Sequence, residues 1–211
     1  MTPTLEAAGL RPHPMTMPGV DEPHPDGIRL AEWVAAAVER IDALPGEVVL
    51  VGHSGGGSVV WGAADARPDR VARVVFVDTV PTPPGFPIND FETEGEVMPF
   101  PGWDFFPTED VHDLDEELRA RTLPLTRTIP ARVPSDPLAL NDEARHRVPV
   151  TMLMGEYDRE ALERELEKWG PYADEYRAIE DVEVTRIGSA HWPQFSRPQR
   201  LGELLVEAVK R

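Results

Sequence analysis

The stretch that most constrains this chain is Val48 to Gly57, which reads VVLVGHSGGG. Four apolar residues in succession predict a strand buried on both faces. Gly52-His53-Ser54-Gly55-Gly56 then predicts a sharp turn, and Ser58 to Ala66 reads as a helix rich in small residues. A strand, turn and helix around G-x-S-x-G is the context in which a serine can serve as an exposed nucleophile. Ser54 must take strained backbone angles for its hydroxyl to leave the sheet. The glycines two before and two after it should face a close approach of strand and helix. The first N–H groups of that helix would face any negative charge developing on a substrate oxygen. The competing reading is a glycine-rich turn with an incidental serine.

Composition narrows the classes open to the chain. Its 211 residues are enough for one domain with a sizeable core. No apolar run approaches the ~20 residues needed to span a bilayer. The N-terminus shows no basic-then-apolar leader. Cysteine is absent, which removes disulfides and thiolate metal sites, and cytoplasm is the default compartment. A net charge of -17 disfavours nucleic acid and anionic membranes as partners.

The apolar pattern then divides the chain. Leu5 to Gly9 reads as a helix end, and Leu10 to Met17 as a short strand weakened by Pro12 and Pro14. Leu30, Trp33, Val34, Ala37, Val38 and Ile41 repeat at helical spacing over Ile28 to Leu44, with Asp26 as the expected N-cap. Buried strands are expected at Val71 to Val77 and Val148 to Met154, and a more alternating one at Val182 to Ile187. Helices are expected at Arg159 to Trp169 and Pro198 to Val209. Strands alternating with helices imply a mostly parallel α/β sheet flanked by helices. Residues 1–80 and 148–211 form its core. Residues 81–147 break the alternation, carrying Phe100, Trp103, Phe105 and Phe106 and an acidic helical piece from Asp110 to Arg121. So long an excursion is uncommon as plain loop, and it reads as a cap over the strand ends, against the alternative of a poorly ordered surface insertion.

A serine hydroxyl is a poor nucleophile without a histidine to take its proton and an acid to orient that histidine. His191 lies in the loop after the last strand, where catalytic loops gather. Two aspartates stand between Ser54 and His191 in the chain. Asp158 is preferred as the acid, since a turn after the third strand points toward the final loop. Asp78, at the tip of the second strand, remains open, with Glu156 a distant third. An N-cap for the following helix is the alternative use of Asp158. His53 and Trp192 are read as pocket residues. His13, His24, His112 and His146 are expected to be solvated.

VVLVGHSGGG, VVFVDTVP at Val74 to Pro81, GEYD at Gly155 to Asp158 and AHWPQFSRP at Ala190 to Pro198 together resemble the α/β-hydrolase superfamily. Within it the chain looks like small bacterial serine hydrolases related to plant methylesterases and hydroxynitrile lyases. The resemblance implies Ser54 as nucleophile, His191 as base, Asp158 as acid and the Gly55 N–H as one oxyanion donor. It implies a small ester-like substrate and neither a metal nor an organic cofactor; a homodimer stays open. Members normally open with further strands, one carrying a His-Gly loop with the second oxyanion donor. The expectation is therefore an N-terminally shortened sheet, or one in which Leu10 to Met17 takes the vacant place. A non-catalytic ligand-binding protein and lyase chemistry on the same triad are the rival functions.

Overall fold

The computed structural model describes residues 1–89, 93 and 95–211. Its centre is a four-stranded parallel sheet made of β1 (Val48–His53), β2 (Val71–Val77), β5 (Val150–Met154) and β6 (Val182–Arg186), in the order β1-β2-β5-β6. A separate antiparallel pair, β3 (Val97–Met98) and β4 (Ile129–Pro130), lies in the intervening insertion. The alternation of side chains along β2 builds a core on each face of the sheet. Val74 and Phe76 pack with Leu30, Ala37 and Ile41 of α2 (Leu30–Asp42) and with Trp61, Ala63 and Ala64 of α3 (Gly56–Ala66). Leu162 and Leu166 of α7 (Arg159–Leu166) and Ala173 and Tyr176 of α8 (Pro171–Ala178) complete that face. Val75 and Val77 point the other way, onto Leu201, Leu204, Leu205 and Ala208 of α10 (Pro198–Val209). The N-terminal helix α1 (Thr2–Ala7) covers α10 through Met1 and Leu5.

Several expectations need correction. The elbow strand β1 is an edge strand, not one buried on both faces; Val51 is 45% exposed. Residues 10–17 contain no strand and do not extend the sheet, consistent with the donors that Pro12 and Pro14 lack. Asp26 does not cap α2. Its N-cap is Arg29, whose backbone N–H donates to Glu32 Oε2 at 2.9 Å. The helix after β5 stops at Leu166, and Gly170, at φ 47°, turns the chain into α8, which the apolar pattern did not announce. His146 is buried rather than solvated. It shares Glu175 with Arg145 and Trp61, whose Nε and Nε1 donate at 2.8 Å each, while Arg145 also reaches Asp65 at 3.3 Å. These polar groups tie α3 and α8 to the turn before β5.

The insertion between β2 and β5 includes residues 90–92 and 94, which lie outside the described ones. Its described residues include the short α-helices α4 (Thr108–Val111), α5 (Glu116–Thr122) and α6 (Arg132–Ser135). Trp103, Val111 and Leu114 are buried in a third apolar cluster with Phe100, Phe106 and Leu118. Phe105, expected with these aromatics, is 56% exposed. Trp192 and Phe195 join the cluster from the short helix α9 (Pro193–Ser196) and the loop before it, so the insertion packs onto the segment that follows β6. Among the described residues no helix is long and apolar enough to cross a membrane.

Candidate active site

Ser54 ends β1 at φ 50°, in the left-handed region that a non-glycine residue enters only under constraint. Two hydrogen bonds hold it there: its N–H donates to the Val77 carbonyl at 3.2 Å, and its own carbonyl accepts from Gly57 N–H at 2.8 Å. Gly52 is required where it stands, because a Cβ there would lie 2.5 Å from the Gly56 carbonyl oxygen and 2.7 Å from Val60 Cγ2. The expected steric need at Gly56 itself is absent, since a Cβ there meets nothing within 4 Å. The second tight position is Gly57, where a Cβ would be 2.6 Å from Thr79 Cγ2. Gly55 is the N-cap of α3, so its N–H stands at the helix end that attracts negative charge.

Next to β1 in the sheet, β2 is followed by Asp78, which is also left-handed at φ 46°. Both of its carboxylate oxygens are used. Oδ1 accepts the Gly155 N–H at 2.6 Å, and Oδ2 lies 2.7 Å from His191 Nδ1. The opposite ring nitrogen, Nε2, is 2.9 Å from Ser54 Oγ. With the ring proton on Nδ1, the imidazole donates to Asp78 and presents a lone pair to the Ser54 hydroxyl. Gly155, the first residue of GEYD, makes room for this chain of bonds: a Cβ there would be 2.9 Å from Asp78 Oδ1 and 2.6 Å from the Ser189 carbonyl oxygen.

The structure thus brings Ser54, His191 and Asp78 together and leaves the preferred acid, Asp158, out. Asp158 is the N-cap of α7, and its Oδ1 accepts the Ala161 N–H at 2.9 Å. The reason is topological. Asp78 closes the strand adjacent to Ser54, whereas Asp158 lies four residues past β5, where the chain has already turned to begin a helix. Glu156 is likewise engaged elsewhere, with Arg186.

His53 does not share in this chain of bonds. Its Nε2–H donates to the His191 carbonyl at 2.7 Å, and its Nδ1 lies 3.5 Å from Gln194 Nε2. Burial, reinforced by the charge a protonated His191 would carry, lowers its pKa to about 4, so it is a neutral strut at ordinary pH. Trp192 packs next to His191. Its ring meets Trp103 at 5.1 Å and Phe106 at 4.6 Å in edge-to-face contacts, and His191 at 4.8 Å.

The sequence did not mark Asp110 and Asp113, on α4 and just after it. The Asp110 carbonyl accepts the His191 N–H at 3.1 Å, and Asp113 Oδ2 accepts the Ala190 N–H at 2.9 Å. Burial raises the Asp110 carboxyl above the usual carboxylate range, against the opposing pull of His191. No local pattern signals either contact, because each depends on the insertion folding back onto a loop some 77 residues away in the chain.

The chain is similar to several known proteins. A curated pyrethroid hydrolase from Sphingobium wenxiniae is 31% identical over 100 residues, a stretch covering 46% of this chain and only 35% of that protein. A solved pyrethroid hydrolase from Sphingobium faniae superposes with a TM-score of 0.67 at 20% identity, over 99% of this chain and 90% of that one. An extracellular α/β-hydrolase from a Paenibacillus species superposes with a TM-score of 0.77 at 16% identity, covering 100% of this chain and 92% of the other. A methylesterase from Arabidopsis gives 0.66 at 21% identity, over 99% and 91%. At these identities the superpositions establish the fold. The sequence profile described as the Alpha/beta hydrolase family matches residues 3–204, and the chain belongs to that family.

Proposed function

We propose that the protein is a serine hydrolase that cleaves a small carboxylic ester with an apolar portion. The observation that carries this reading is the unbroken sequence of contacts from Ser54 Oγ through the His191 ring to Asp78, at 2.9 and 2.7 Å. In the proposed reaction Ser54 Oγ attacks the ester carbonyl while His191 Nε2 takes the hydroxyl proton. Asp78 holds the ring in the tautomer that can accept it and stabilises the imidazolium that forms. The Gly55 N–H donates to the tetrahedral oxyanion. Collapse expels the alcohol, which takes the proton back from Nε2 and leaves an acyl group on Ser54. Water, deprotonated by the same nitrogen, then attacks the acyl carbonyl; collapse breaks the bond to Ser54 Oγ, which takes the proton from Nε2, and the acid leaves.

In this reading residues 81–147 serve as a cap. Trp192 and Phe106, backed by the buried Trp103, offer an apolar wall next to His191, which favours ester substrates with a hydrocarbon or aromatic face. Names among the relatives, a pyrethroid hydrolase and a methylesterase, agree with an ester as substrate. The test is twofold. A fluorophosphonate probe should label Ser54 in the folded protein and not in Ser54→Ala, and p-nitrophenyl esters should be turned over with a preference for apolar acyl chains. Wild-type protein that neither takes up the probe nor hydrolyses any ester of the series overturns the proposal.

A further inference from the structure

The loop that carries His191 has almost no freedom of its own. Gly188, at φ 79°, and Ser189 donate their N–H groups to the Gly155 carbonyl at 2.9 and 3.3 Å. The Ala190 N–H goes to Asp113 Oδ2 and the His191 N–H to the Asp110 carbonyl. The His191 carbonyl accepts from His53. The sheet therefore fixes the first half of the loop, and the insertion fixes the half that presents the imidazole.

Asp113 is an unusual choice for its part of this task. Only one of its oxygens is used: among the described residues Oδ1, which is buried, has no hydrogen-bond partner. A buried carboxylate oxygen left unpaired costs free energy that a serine or threonine hydroxyl at the same place would not incur to the same degree. What the side chain provides there is an acceptor that reaches the Ala190 N–H at 2.9 Å. The surroundings make that bond a lever. Val111 and Leu114, on either side of Asp113, are buried in the cluster that contains Trp192, the residue after His191. The turn between α4 and α5 (residues 112–115) thus grips the loop on both sides of the ring, through a carboxylate at Ala190 and through apolar packing at Trp192.

We propose that Asp113 is a positioning residue for His191: its hydrogen bond to the Ala190 N–H sets the ring at the distance from Ser54 and Asp78 that proton transfer requires, and so couples the insertion to catalysis. The proposal rests on His191 acting as the base. A shift of about 1 Å in such a group can cost on the order of 100-fold in rate. Asp113→Ala should lower kcat for a p-nitrophenyl ester by about 10- to 100-fold with KM changed less than about 3-fold. Asp113→Asn keeps an oxygen acceptor for Ala190 and should recover most of that loss.

Proton NMR of the ligand-free protein supplies a readout independent of turnover. The His191 Nδ1–H bonded to Asp78 should give a strongly downfield signal in wild type and Asp113→Asn, broadened or lost in Asp113→Ala, while circular dichroism stays that of a folded chain. Wild-type kcat and an intact downfield signal in Asp113→Ala would overturn the proposal. A rise in KM alone would too, as would an Asp113→Asn variant as impaired as the alanine. If the wild-type protein proves to have no esterase activity, the hydrolase reading fails, and the NMR comparison still decides whether Asp113 orders the His191 ring.

Discussion

Replacing each of the two candidate aspartates separates the tertiary reading from the one favoured by chain position. In Asp78→Asn the side-chain oxygen can continue to accept the Gly155 N–H, now made at 2.6 Å, which turns the amide nitrogen toward His191 Nδ1. Two donors cannot face each other, so Nδ1 must become the acceptor and Nε2 must carry the ring proton. Nε2 then points a hydrogen at Ser54 Oγ and has no lone pair for the hydroxyl proton. The same wrong-tautomer effect lowers kcat by about 10⁴ in serine proteases, so a loss of about 10³- to 10⁴-fold is expected. At ~1.36 kcal/mol per decade this amounts to about 4 to 5.5 kcal/mol of activation free energy. Asp158→Ala instead removes a helix cap, whose bond to Ala161 is 2.9 Å. It should cost about 1 kcal/mol of stability. In a chain of this size that is a fall of about 2–4 °C in Tm, with kcat unchanged. Initial rates on a p-nitrophenyl ester and thermal melts of both variants provide the measurement. If Asp158→Ala loses kcat to the extent expected of Asp78→Asn, or Asp78→Asn keeps more than about a tenth of wild-type kcat, the assignment of Asp78 is wrong.

Four further outcomes follow from the packing. The pKa of His53 is lowered from 6.5 to about 4, so below pH 6.5 the unfolded chain binds the proton that the folded one refuses, and stability falls as pH drops through that window. This one group should remove at most about 2.5 kcal/mol between about pH 7 and pH 4.5, and His53→Gln should shrink the acid-induced fall in Tm relative to wild type by a corresponding amount. Gly52→Ala should destabilise by about 1–3 kcal/mol in urea melts through its clash with the Gly56 backbone. Gly56→Ala, with open space around its Cβ, should hold or raise the midpoint. Glu175→Ala leaves the buried Arg145 guanidinium without its main partner and should cost about 3–5 kcal/mol by the same measurement.

How much of this was legible in the sequence depended on the range of the interactions. The Ser54 elbow could be read directly because its motif is local: an apolar strand, closely spaced glycines and a small-residue helix lie within some twenty residues. The strands at Val71 to Val77 and near Val148 to Met154 were legible because burial on both faces leaves a continuous apolar run, and the edge strand near Val182 to Ile187 was legible by its alternation. Helix α10 was legible because Leu201, Leu204, Leu205 and Ala208 repeat at helical spacing. Even here the reason behind a motif could be misplaced: Gly56 was expected to be sterically forced, and the packing shows that Gly57 carries that constraint.

The choice between aspartates lay beyond local pattern. Asp78 and Asp158 both follow core strands and both stand between Ser54 and His191 in the chain, so order along the sequence treats them alike. What separates them is which strand lies beside β1, and that is decided by the hydrogen bonding of the whole sheet. The burial of His146 with Glu175 and the hold of Asp113 on Ala190 are of the same kind, contacts between segments about 30 and 77 residues apart. By itself the sequence determined an α/β sheet with a serine displayed at a strained turn, because short-range sterics and hydrophobic periodicity are written residue by residue. Only the tertiary structure decided which carboxylate meets His191 and which segment hydrogen-bonds to its loop, because those are properties of strand order and of packing between distant parts of the chain.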